Sequence, residues 1–137
     1  MEITLNRKRL LNINNNALNC KILHLSHYGL RLTKIAADAF KDLNLLEELT
    51  LKNQISEIEE NSFNGLSKLR ILDIPFNRLN KIDDNLLSGN TQLSRINFGR
   101  NEIGEIGSNA FRNQSLLKDL LLYDNEITRI SPKLFKQ

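Results

Sequence analysis

With one cysteine in 137 residues, Cys20, this chain can form no internal disulfide, and its ends cannot be closed by cystine. A cytosolic protein has the same cysteine usage. Tryptophan is absent, and the two prolines and six glycines leave no stretch that reads as a linker. No apolar run approaches the roughly 20 residues of a membrane-spanning helix; the longest block is Leu120 to Tyr123. The opening MEITLNRKRLL has basic residues without the apolar stretch of a signal peptide. Catalytic hardware is missing too. There is no glycine-rich phosphate loop and no serine or cysteine nucleophile motif. The two histidines, His24 and His27, have no cysteine or carboxylate cluster to complete a metal set. These absences predict a protein that is not an enzyme and needs no cofactor or metal.

What is present suits one globular domain: 40% apolar and 26% charged residues over a single domain's length. The net charge of +3 raises the question of nucleic acid. Phosphate binding needs a stripe of one sign. The charges that later fall on one face mix both signs, so nucleic acid is not the expected partner.

The organising stretch is LRILDIPFNRLNKI, Leu69 to Ile82, with apolar residues at Leu69, Leu72, Ile74, Leu79 and Ile82 and Asn77 among them. The pattern has neither a helical nor a strand period throughout. It returns 24 residues later as Leu93, Ile96, Phe98, Asn101, Ile103 and Ile106, and again after 24 as Leu117, Leu120, Leu122, Asn125, Ile127 and Ile130. An internal repeat of this length decides the architecture. Within each copy x-L-x-L-x alternates, which is a short strand with one face inward. The asparagine stands where the chain leaves the strand, and its amide can satisfy backbone groups that the turn would strand. Stacked copies therefore predict a column of buried asparagines. Five residues beyond the final isoleucine comes another large residue, Leu87, Phe111 or Phe135, expected to fill the back of the coil.

These residues resemble the leucine-rich repeat family, in its 24-residue form carrying a phenylalanine on the back of each turn. The resemblance implies the α/β class: a right-handed solenoid with a curved parallel sheet on its concave face and short helical or irregular segments on its convex face. It also implies binding of other macromolecules, and a protein partner above all. The cystine-closed caps of many exported members are not available here. Repeats of this kind resemble those of Toll-like receptor ectodomains and secreted insect immune proteins. Resemblance therefore points to extracellular or secreted recognition, with a cytoplasmic location as the alternative.

The whole of 1–137 reads as one domain, with a degenerate first coil at 1–19 and repeats at 20–45, 46–68, 69–92, 93–116 and 117–137. In the first coil Ile3, Leu5, Leu10, Ile13 and Leu18 follow the frame, with Lys8 at the asparagine position and Ile3 answering to Leu23. The second copy has Tyr28 for asparagine, and its Leu30 to Ile35 spacing predicts two extra residues on the outgoing side, near Arg31 and Leu32. The third is short by one, with Asn53 rather than Gln54 as the turn amide. Neither end shows a polar closing segment. That predicts either a piece of a longer solenoid or pairing of the open ends with another copy, and such self-assembly is the structural alternative to partner binding.

Outward strand positions carry no packing duty. One row reads Thr4, His24, Thr50, Asp73, Asn97 and Leu121. A second reads Glu2, Ile22, Glu48, Ile71, Arg95 and Asp119. Beyond the strands come Asn6, Ser26, Lys52, Pro75, Gly99 and Tyr123, with Arg7, His27, Asn53, Phe76, Arg100 and Asp124 beside them. From this grid the candidate partner-binding set is Glu48, Thr50, Lys52, Ile71, Asp73, Phe76, Arg95, Asn97, Arg100, Asp119, Leu121 and Tyr123. Apolar and aromatic groups on a wet face have the composition of an interface anchor. The sequon Asn113-Gln114-Ser115 marks a possible glycan on the back.

Overall fold

The computed structural model describes residues 1–26 and 29–135. His27 and Tyr28, the latter expected in place of an asparagine, lie outside the described residues. Two kinds of strand alternate along the chain. The long kind comprises β2 (Ile22–Ser26), β4 (Glu48–Lys52), β6 (Ile71–Asp73), β8 (Arg95–Asn97) and β10 (Asp119–Leu121). The two-residue outgoing kind comprises β1 (Thr4–Leu5), β3 (Lys34–Ile35), β5 (Glu57–Ile58), β7 (Lys81–Ile82) and β9 (Glu105–Ile106). The long strands form one five-stranded parallel sheet in the order β10-β8-β6-β4-β2. The outgoing strands form parallel ribbons β1-β3-β5 and β7-β9. Parallel neighbours one repeat apart are the topology of a solenoid, and right-handed crossovers between them set its hand. This is the leucine-rich repeat coil that the period of 24 implies.

Register follows the inward leucines. Leu23 stands against Leu49, Leu49 against Leu72, Leu72 against Ile96 and Ile96 against Leu120. Leu49, Leu72 and Ile96 are fully enclosed. A second apolar column of Leu32, Ile55, Leu79 and Ile103 lines the exit from the sheet, and a third of Leu10, Phe40, Phe63, Leu87 and Phe111 fills the back. No coil can bury its own apolar side; each is covered by its neighbours. At the last coil Leu120, Leu122 and Ile127 are only half-buried, while Leu116, Ile130 and Phe135 are exposed.

The asparagine column is present and bridges adjacent coils. Asn77 Oδ1 accepts from the Asn53 and Ile55 amides at 3.0 and 3.1 Å, and its Nδ2 donates to the Leu51 and Pro75 carbonyls at 2.9 and 3.0 Å. Asn53 does the same for the Leu32 amide and the Leu25 carbonyl. Asn101 and Asn125 continue the column toward Leu79 and Ile103. A shorter polar column runs up the back, where the Asn90 and Gln114 side chains donate to carbonyls of the preceding coil.

Three sequence expectations are corrected. Thr4 and Leu5 pair with Lys34 and Ile35 in the outgoing ribbon, so Leu5 answers to Ile35 rather than to a concave leucine. Leu10, five residues on, then takes the position of Phe40, and Arg7–Ile13 forms a helix, α1, across the back, its N-terminus capped by the Asn6 side chain. Residues 1–19 thus supply an outgoing strand and a back segment, and Glu2, Thr4, Asn6 and Arg7 leave the concave grid. Arg7 hydrogen-bonds and pairs with Asp42 in the next coil, and this holds the Asp42 carboxyl below its ordinary range. Second, Leu32 and not Leu30 fills the exit column, being fully buried where Leu30 is half-exposed. The extra residues of that coil therefore fall between β2 and Leu32. Third, Asn53, expected both as the turn amide of its coil and in the outer row beside Phe76, is the turn amide of the buried column and leaves the outer row.

Candidate functional site

The concave sheet presents two outward rows. Ile22, Glu48, Ile71, Arg95 and Asp119 stand side by side at the strand starts, and His24, Thr50, Asp73, Asn97 and Leu121 at the next outward position. The register matches the expected grid from β2 to β10. Glu48, Thr50, Ile71, Asp73, Arg95 and Leu121 are half-buried, and Asp119 is exposed. Asn97 differs from expectation. It is buried, and its Oδ1 accepts the Gly99 amide at 2.8 Å, so its side chain folds down onto its own strand exit. Its oxygen is thereby taken up within the chain, and little of the side chain is exposed to a partner.

Charges across this face pair between adjacent coils. Arg95 Nε lies 3.8 Å from Asp73 Oδ1, an oxygen enclosed by protein without a hydrogen bond of its own. Arg70 and Glu47 pair at 3.5 Å one position earlier. Exposed ion pairs of this kind contribute little to stability, about 0–1 kcal/mol. Their effect is to make most of the face locally neutral.

The rim beyond the strand ends is built differently. Phe76, Arg100 and Asp124 each precede a column asparagine, and each takes the left-handed conformation, with φ of 58°, 54° and 53°. The turn into the asparagine requires that geometry, at a cost of roughly 1–2 kcal/mol for a residue with a Cβ. In the third coil the corresponding residue is missing, which accounts for its short spacing. Phe76 is 49% exposed. Lys52 Nζ sits 5.6 Å and Arg100 Cζ 5.0 Å from the centre of its ring, both in cation–π range. Arg100 also pairs with Asp124 at 3.2 Å.

Tyr123 completes the rim, 44% exposed. Its ring lies on Gly99, where an added Cβ would come within 2.2 Å of the ring carbon Cε1. Gly99 thus keeps the ring's seat empty, a role the sequence grid did not single out. The signal was available: glycine stands one repeat before Tyr123 in the same row. Of the twelve candidates, then, the structure gathers Lys52, Phe76, Arg100 and Tyr123 along the rim, puts seven on the sheet face, and withdraws Asn97. Asn113 is exposed on the opposite side, its Nδ2 donating to the Ser88 carbonyl at 3.2 Å.

Among the described residues no group of three histidines, cysteines or carboxylates is placed to hold a metal, and no helix is long and apolar enough to cross a membrane. A coil of parallel strands whose inward leucines and asparagines repeat in register defines a leucine-rich repeat protein. The family model of the BspA type leucine rich repeat region matches residues 11–137 in six copies, and the chain belongs to that family. No curated protein matches it in sequence. Among solved structures it is similar to a chain of the Toll–Spatzle complex, described as a molecular hub in Drosophila development and innate immunity. That likeness has a TM-score of 0.62 and 21% identity over 78% of this chain, which spans 17% of the other. At that identity the likeness concerns the fold.

Proposed function

We propose that the chain is a non-catalytic protein-interaction module that takes a segment of a protein partner on its concave face and along the adjoining rim. The observation that carries the reading is the pair of half-exposed rings, Phe76 and Tyr123. The fold does not require aromatics there, because Arg100 and Asp124 occupy the place of Phe76 in the next two coils with the same backbone angle. Exposed aromatics beside charged groups are the usual anchors of an interface. The sheet residues Glu48, Thr50, Ile71, Asp73, Arg95, Asp119 and Leu121 supply the surrounding contact surface. An extracellular or secreted setting of the innate-immune kind is supported by the fold shared with the Toll–Spatzle chain and by the exposed Asn113 of the sequon.

Selection of random peptides displayed against the folded chain tests this reading. Selected peptides should lose at least about tenfold in affinity on the double variant Phe76→Ala/Tyr123→Ala, as removal of two anchor rings entails. They should bind Asn85→Ala on the convex side unchanged. Affinity unaltered by the double variant, with its melting transition intact, would remove the concave rim as the binding surface.

A further inference from the structure

Resting on that reading, we infer that the rim selects an extended peptide segment in which an acidic residue adjoins one apolar residue and a second apolar residue follows three positions further from the acid. Three observations define the chemistry. Lys52 is exposed and makes no ion pair among the described residues, whereas Arg70, Arg95 and Arg100 all do. Its ammonium is the unneutralised charge at one end of the rim. Beside it stands the open ring of Phe76, and at the other end the ring of Tyr123.

Between the two rings the Arg100–Asp124 pair is already satisfied and presents no net charge to a partner. The floor is equally closed to polar readout: Pro75 has no amide hydrogen to donate, and the Gly99 amide is taken by Asn97. Recognition therefore falls to the ends, a carboxylate for the lysine and apolar side chains for the rings.

The coil fixes the spacing. Adjacent parallel strands lie about 4.8 Å apart, so Lys52 and Phe76, one coil apart, are separated along the stack by about 5 Å, and Phe76 and Tyr123, two coils apart, by about 10 Å. An extended chain advances about 3.4 Å per residue. A segment running across the strands thus meets Lys52 and Phe76 with neighbouring or next-neighbouring residues, and Tyr123 about three residues later. The segment can run in either chain direction, since side chains supply the recognition.

The test sequences the peptides selected on the wild-type chain and repeats the selection on Lys52→Glu. Among the described residues the lysine side chain makes no hydrogen bond or ion pair, but its ammonium lies 5.6 Å from the centre of the Phe76 ring, so Lys52→Gln, which loses that contact without reversing the charge, is the control. Wild-type selection should enrich an acidic residue next to an apolar one, with a second apolar residue three positions on. Selection on Lys52→Glu should enrich a basic residue at the acidic position, and wild-type peptides should bind that variant at least tenfold more weakly. Peptides that depend on Phe76 and Tyr123 but show no acidic position, or that bind Lys52→Glu equally well, overturn this inference and leave the concave rim as the binding surface. A selection that yields no binder, or only binders indifferent to both rings, overturns the two together.

Discussion

Replacing Asn77 with alanine is expected to lower the unfolding free energy by about 3 kcal/mol, read from chemical denaturation, although the side chain contributes no apolar surface. Its amide closes four hydrogen bonds, three to the third coil, with the Asn53 and Ile55 amides and the Leu51 carbonyl, and one to the Pro75 carbonyl of its own coil. Alanine leaves those groups without the partner the turn relies on. The residue is 6% exposed, so water reaches them poorly. A single buried unsatisfied group costs about 1–3 kcal/mol, and partial relaxation keeps the sum of four below simple addition. Asn80→Ala, three residues on at an exposed position, should stay within about 0.5 kcal/mol. Equal losses at the two positions would mean that the column does not hold the coils together.

The second large effect lies on the back of the coil. Phe63 is 1% exposed and stacks on Phe40 with ring centres 5.9 Å apart and planes 12° apart. Phe63→Ala is expected to cost about 4 kcal/mol, the transfer of a buried ring plus the cavity it leaves. Phe63→Leu should cost no more than about 1.5 kcal/mol, because Leu87 already fills the same column in the following coil. Phe135 stands at the same repeat position but is 61% exposed, and its replacement by alanine should cost under about 1 kcal/mol. The ratio between positions 63 and 135 measures how far neighbouring coils, and not the repeat itself, supply stability. Similar losses at both would contradict a stack held by its interfaces.

Where the period of 24 is regular, the sequence displayed the fold directly. Leu72, Ile96 and Leu120 occupy one register column, and Asn77, Asn101 and Asn125 one hydrogen-bonded column, as the repeated frame implied. The first two coils were harder for a definite reason. Alternation of the form I-x-L fits an inner strand and an outgoing strand equally, and Ile3 to Leu5 has no asparagine to choose between them. The five-residue step from Leu5 to Leu10, matching Ile35 to Phe40, held the answer. Leu30 and Leu32 are two apolar candidates for one core position; the three-residue step from Leu32 to Ile35, the same as from Leu79 to Ile82, was the available signal, and the Leu32 amide donates to the Asn53 side-chain oxygen 21 residues away.

The candidate site was legible as a set of rows but not as a surface. Alternation alone put Asn97 and Asp73 outward alike, yet Asn97 is drawn down by the Gly99 amide while Asp73 stays half-exposed beside Arg95. The left-handed backbone shared by Phe76, Arg100 and Asp124 has no glycine to announce it. What distinguishes the rim from the sheet is which charges are already neutralised, and that depends on distances between coils.

The central claim concerns where a partner sits, and amide NMR of the isotope-labelled chain titrated with a selected peptide measures it. Shifts should concentrate on the residues at and around Lys52, Phe76, Gly99, Arg100 and Tyr123, with smaller changes on the sheet at Thr50 and Ile71. Residues of the convex side, such as Asp83, Asn85 and Asn113, should keep their positions. Perturbations centred on that side, with the rim unmoved, would contradict the account.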